Sequence, residues 1–85
     1  MKLPPDEVLL ADIRGGGKRR ELALRTLYDA HLPMVVQFVT QNNGKVRDAE
    51  DKFQDAITVL FEHVRDGVFQ GRSSIKSYLM AIVRK

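Results

Sequence analysis

Eighty-five residues with a net charge of +3 fit one domain with a modest core, and the low Gly and Pro counts argue against disorder. The chain has no cysteine, which rules out a disulfide framework, a thiolate nucleophile and a cysteine-based zinc site. The two histidines, His31 and His63, are too isolated to suggest a metal cluster, and no basic leader precedes a long apolar run, so a cytoplasmic chain without a membrane span is expected.

Pro4 and Pro5 precede an amphipathic run from Asp6 to Arg14 with Val8, Leu9 and Ile13 apolar, which predicts a short first helix with acids in its first turn. Gly15 to Gly17 end it. Three glycines invite comparison with a phosphate-binding loop, but GxxxxGK[ST] and a preceding strand are both absent, and a flexible turn is expected. Lys18 to Asn42 reads as largely helical, with a wide apolar surface that includes Leu22, Leu27, Val35 and Val39. Pro33 should bend or split that helix near His31, itself a packing or capping residue, and Asn42, Asn43 and Gly44 are stop signals.

The stretch from Asp48 to Asp66 is the organising helix. Phe53, Ile57, Leu60, Phe61 and Val64 recur at helical spacing as one stripe, while Asp51, Asp55, Thr58 and Glu62 share an opposite arc. Asp48 is the expected cap, with Asp51 three residues on. The acidic arc is either a solvated helix face or a docking surface for a basic partner. Beyond Gly67, Phe69 is expected to anchor an irregular stretch, and Ser73 or Ser74 to cap a last helix. Ile75, Tyr78, Leu79 and Ile82 should face inward there. Phe53, Ile57, Leu60, Tyr78, Leu79 and Ile82 should then share one core. Lys76, Met80 and Arg84 should face outward beside Ser77, and an exposed methionine between cations needs a partner. The uncapped end at Arg84 and Lys85 suggests a truncated piece of a longer protein. About four helices with short connections and no credible strand predict an all-α class, a small helical bundle over residues 1–85.

Charge is segregated along the chain. Arg14 to Arg25 holds five basic residues and one acidic; Asp48 to Asp66 holds six acidic and two basic; Arg72 to Lys85 holds four basic and none acidic. Such a chain can offer opposite surfaces to opposite partners, nucleic acid among them.

Three pieces resemble the promoter-binding helical domain, region 2, of bacterial RNA polymerase sigma factors of the extracytoplasmic-function group. They are LYDAHLP at Leu27 to Pro33, DAEDKFQDAITVLFEHV at Asp48 to Val64, and FQGRSSIKSYLMAIVRK at Phe69 to Lys85. They keep the family's order. The resemblance implies that the acidic helix binds the coiled coil of the polymerase core clamp, with Gln54 and Asp55 matching the family's Gln-acid pair and Asp51 and Glu62 beside them. It also implies that the last helix and its preceding loop open the minus-ten promoter element and hold a flipped base of the non-template DNA strand. The residues concerned are Phe69, Gln70, Arg72, Ser73, Ser74, Lys76, Ser77, Met80 and Arg84. An anti-sigma regulator is a further implied partner. The chain departs from the pattern at Tyr78, where tryptophan is usual, at Met80-Ala81, where an aromatic-Arg pair is usual, at Arg72, where an acid is common, and at Ile75, where the family has Phe. Promoter specificity therefore does not carry over.

The leading expectation is a transcription initiation module without enzymatic activity or cofactor, because no nucleophile-base-acid set is present and exposed paired acids lack the burial that tunes a general acid. The alternative is a helical protein-interaction domain derived from a sigma factor that no longer reads DNA. A helix-turn-helix duplex binder is a further competitor, but the irregular stretch from Phe69 to Ser74 suits capture of a single strand better than a tight turn does.

Overall fold

The computed structural model describes residues 2–85, and four helices account for most of them: α1 (Asp6–Gly15), α2 (Gly17–Gln41), α3 (Val46–Arg65) and α4 (Ile75–Arg84). No strand occurs among the described residues, so the chain is an all-α four-helix bundle. The long helices α2 and α3 make the most extensive pair; α1 packs on both, and α4 packs on α3 and, less extensively, on α2.

The apolar positions explain this arrangement. On α2 the core residues Ala23, Leu27, Val35 and Val39 fall on a four-residue step, with half-buried His31 at the middle position of the same seam. On α3 the buried set is Ala49, Phe53, Ala56, Ile57, Leu60 and Val64, the expected stripe with two alanines that let neighbouring helices approach closely. Phe61 is half-buried at its margin. On α1, Leu9, Leu10 and Ile13 are buried while Val8 is 45% exposed. The inward face of α1 is therefore turned slightly from the expected one.

Two local expectations are corrected. Pro33 does not split α2, which runs unbroken from Gly17 to Gln41. Proline deletes one donor, to the carbonyl of Asp29, but both residues are exposed and water can satisfy that oxygen. The packing seam continues on either side. The start of α3 also lies earlier than expected. Lys45, in extended conformation, holds the cap position, and Asp48 sits in the first turn, where its carboxylate accepts the Lys45 N–H at 2.8 Å. A lysine side chain has no acceptor, so only this half of a capping box exists.

At the other end of α3 the carbonyl of His63 accepts both Val68 N–H (2.8 Å) and Phe69 N–H (3.0 Å), folding the chain back and delivering Phe69, 3% exposed, into the core as the expected anchor. Of the two serines offered as caps for α4, Ser74 is the one used: its Oγ accepts Ser77 N–H at 3.0 Å. Ser74→Ala should therefore cost about 0.5–2 kcal/mol in urea unfolding, with the folded helix content unchanged. Ser74→Asp, which keeps an acceptor and adds favourable charge at a helix start, should recover most of it.

Candidate functional site

The two surfaces singled out by sequence lie on different parts of the bundle. The first is the outer face of α3. Because its inner stripe is consumed by packing, Asp51, Gln54, Asp55, Thr58 and Glu62 are left exposed. Asp51, Asp55 and Glu62 belong to no ion pair among the described residues, where the pairs formed are Arg25–Asp29 and Arg65–Asp66. Thr58 is tied to its own helix, donating to the carbonyl of Gln54 at 3.2 Å. The negative field spreads onto α2. Tyr28 stacks on Phe53 with ring centroids 5.4 Å apart, and its phenol is pushed up by burial and by Glu50, Asp29 and Asp51, with Arg25 opposing. Tyr28 thus supplies an aromatic edge to the acidic face. Its separation from the acids of α3, the nearest of them Asp48, hid that role in the sequence.

The second surface is the connection from Val68 to Ser74 with the start of α4. This loop lies along α1. Leu10 packs where Gly71 has no side chain (a β-carbon there would sit 3.4 Å from Leu10 Cδ1), and Gly71 adopts φ +80°, which favours glycine. The Asp6 carboxylate accepts the Ile75 N–H at 2.9 Å, so the first residues of α1 and α4 are joined directly. Gln70 is held by its own loop, its Nε2 donating to the carbonyl of Gly67 at 3.0 Å.

An open cavity of about 360 Å³ lies between the loop and α4, lined by Val68, Phe69, Gln70, Arg72, Ser73 and Tyr78. Its size falls within the range of about 300–1,000 Å³ common for small-ligand clefts. Tyr78 is its rigid wall: the ring packs on Phe69 at 4.3 Å between centroids, and the hydroxyl shares a 2.6 Å hydrogen bond with His63 Nδ1. His63 was not among the expected site residues, since a contact spanning fifteen positions leaves no periodic trace. On the α1 side, a second cavity of about 590 Å³ brings Asp6, Glu7 and Arg14 against Gln70, Gly71 and Ser73.

Of the residues assigned to the strand-binding surface, Gln70, Arg72, Ser73, Ser74, Lys76, Ser77 and Arg84 are exposed. Two are not. Phe69 is buried and only backs the cavity. Met80 is 7% exposed and belongs to the core, overturning its placement between Lys76 and Arg84 on an outward face. The inward residues of α4 are Ile75, Leu79, Met80 and Val83, with Tyr78 and Ile82 half-buried, so the helix is rotated from the expected phase. A helix that contacts both α3 and α2 buries a wider arc than one resting on a single neighbour, and Met80 falls within it. Ser74 is exposed but engaged as the cap, its Oγ also 2.9 Å from Ser77 Oγ.

His31 lies where α1, α2 and α4 approach. Burial pushes its imidazole below the ordinary histidine range, nearby Lys76 adds to that, and Asp6 opposes it. This environment favours a neutral packing residue. No group of three or more metal-ligating side chains occurs among the described residues, and none of their helices is long and apolar enough to cross a membrane. The chain matches no family model, no curated protein and no solved structure.

Proposed function

We propose that this chain is a transcription initiation module of the sigma-factor type, which docks the RNA polymerase core clamp through α3 and takes single-stranded promoter DNA at the loop before α4. The observation that carries this reading is the separation of an unpaired acidic helix face from a cavity with an aromatic wall and a cation, Tyr78 and Arg72, at the loop. Asp51, Asp55 and Glu62 offer carboxylates to partner arginines, with Gln54 between them, and charge-assisted bonds of that kind are among the stronger polar contacts. At the loop, a base lifted from its stack would lie against Tyr78 with Ser73 in hydrogen-bonding reach of the cavity. Arg72, Lys76 and Arg84 would attract phosphates without reading sequence.

The test assembles the chain with core polymerase on pre-opened promoter DNA. Asp55→Arg should weaken binding to core by about tenfold or more, because a reversed charge replaces attraction by repulsion, and Gln54→Ala should weaken it less. Arg72→Glu with Arg84→Glu should lower binding of all strands, whereas Ser73→Ala should change the preference among bases. Unaltered core binding by the Asp55→Arg chain would remove the docking assignment; equal cross-linking by the loop variants would remove the DNA assignment.

A second reading, a sigma-derived interaction domain that no longer reads DNA, is favoured by the burial of Met80 and the engagement of Ser74, which subtract two side chains from the strand-binding surface. It predicts core or regulator binding through α3 with no base preference at the loop.

A further inference from the structure

The sequence carries a basic run at the α1–α2 turn that neither proposed surface uses. In the folded chain it does not stand alone. Arg20, half-buried, donates from Nε to the carbonyl of Ile13 at 2.7 Å and lies 4.6 Å over the Phe61 ring. Arg65, from the last turn of α3, lies 5.4 Å from the centre of the same ring. Two guanidinium groups that share one ring are at most about 10 Å apart, so they stand as adjacent cations on one surface. Arg65 is tied to Asp66 at 2.9 Å; Arg14, Lys18, Arg19 and Arg20 enter no ion pair among the described residues. Asp12, Glu21 and Glu62 are the other acids near in sequence; Glu62 acts on Arg65 through space, and none of the three forms an ion pair with these cations. Arg14 extends the group toward the loop, since it lines the larger cavity with Gln70 and Gly71, where Asp6 and Glu7 stand opposite.

With exposed Lys18 and Arg19 in the first turn of α2, basic side chains occur from the end of α3, through the α1–α2 turn, to the cavity beside the loop that carries Arg72. We propose that Arg14, Lys18, Arg19, Arg20 and Arg65 form a second, sequence-independent surface for the phosphate backbone of the strand whose base enters the loop. This rests on the DNA-binding reading of the loop. Phosphate fits this basic band for two reasons. Its cations are spread along a path rather than gathered at a point, as a repeating anion requires. Arg20, held at Nε and by the aromatic ring, also keeps its two terminal nitrogens for a bidentate acceptor at little further entropic cost. A strand long enough to leave the loop would reach Lys18 and Arg19; one that ends at the loop would meet Arg14 at most.

The experiment titrates the chain with fluorescent single strands of about 4 and about 16 nucleotides, bracketing common single-strand site sizes, over a range of salt. Lys18→Glu with Arg19→Glu, both exposed and outside the core, should weaken the long strand about tenfold. It should also reduce the salt slope by about 1.4, at about 0.7 for each lost phosphate contact. Affinity for the short strand, base preference and thermal melting should stay as in the parent chain. Arg20→Lys, which keeps the charge but loses the fork, should weaken the long strand less. Unchanged affinity and slope for the long strand in the double variant would overturn the band. So would polyglutamate displacing the long strand from the parent chain at equal charge concentration, since the surface would then fit an acidic polypeptide. If the parent chain shows no base preference but binds inorganic polyphosphate and loses it in the double variant, the loop reading fails while the cationic surface stands. If it binds neither strand nor polyphosphate, both fail.

Discussion

Leu60→Ala is expected to cost about 2–5 kcal/mol and to lower the urea midpoint sharply. Leu60 has no exposed surface, and it lies on α3 between Ile57 and Val64 in the stripe that packs toward α2, α1 and α4. Truncation removes apolar transfer energy and leaves a void that helices pinned on several sides cannot close. A domain of this length has about 4–13 kcal/mol of stability in all, so the loss is a large share of the whole. Urea denaturation followed by circular dichroism measures it. Leu60→Met, which nearly conserves volume, should cost less than about 1.5 kcal/mol. A Leu60→Ala loss below 1 kcal/mol (on the order of an exposed substitution) would show that this part of the core relaxes freely.

Asp6→Ala is expected to cost about 1.5–3 kcal/mol, the worth of a hydrogen bond to a charged group, although it removes only a small side chain near the beginning of the chain. The carboxylate holds the Ile75 N–H at 2.9 Å across 69 positions in a half-buried setting. It also sits at the starts of both α1 and α4, where helix dipoles favour negative charge. Asp6→Asn keeps an acceptor oxygen but not the charge, and should lose roughly half as much. The protection of the Ile75 amide against hydrogen exchange reports the bond directly. Equal protection in Asp6→Ala and the parent chain would mean that water replaces the carboxylate without loss.

The helical class and the central stripe of α3 were legible because they depend on local periodicity: Phe53, Ile57, Leu60 and Val64 repeat on one face whatever they pack against. The α4 phase was not. Ile75, Tyr78, Leu79, Met80, Ile82 and Val83 crowd six apolar side chains into ten residues, so several inward faces are nearly equivalent by pattern. Contacts with α3 and α2 chose among them and took Met80 inward. Pro33 does not split α2 for the opposite reason: a strong local penalty is outweighed by packing on both sides of it. The acidic arc of α3 could be read from spacing alone. Its companion Tyr28, the bond from His63 to Tyr78 at the loop cavity, and the contact from Asp6 to Ile75 could not, because each depends on the chain meeting itself far along its length. Charge segregation was visible in the sequence. That Arg20 and Arg65 meet over Phe61 was not.

The link between α2 and α3 is only four residues, Asn42 to Lys45, so the most extensive helix pair also has a short loop to close. Closure entropy grows with the length of the intervening chain, and local contacts form fastest. The α2–α3 hairpin is thus the natural first structure, and the joining of α1 to α4 the natural last step. In the native ensemble the same order runs backwards. Opening the seam between the chain's two ends is expected to release the loop from Val68 to Ser74 and the start of α4 while α1 stays packed on the hairpin. The acidic face of α3 then belongs to the part of the molecule that stays folded. The loop belongs to the part that can breathe, and a ligand bound there would tighten a segment of the chain that ordinary thermal fluctuation reaches first.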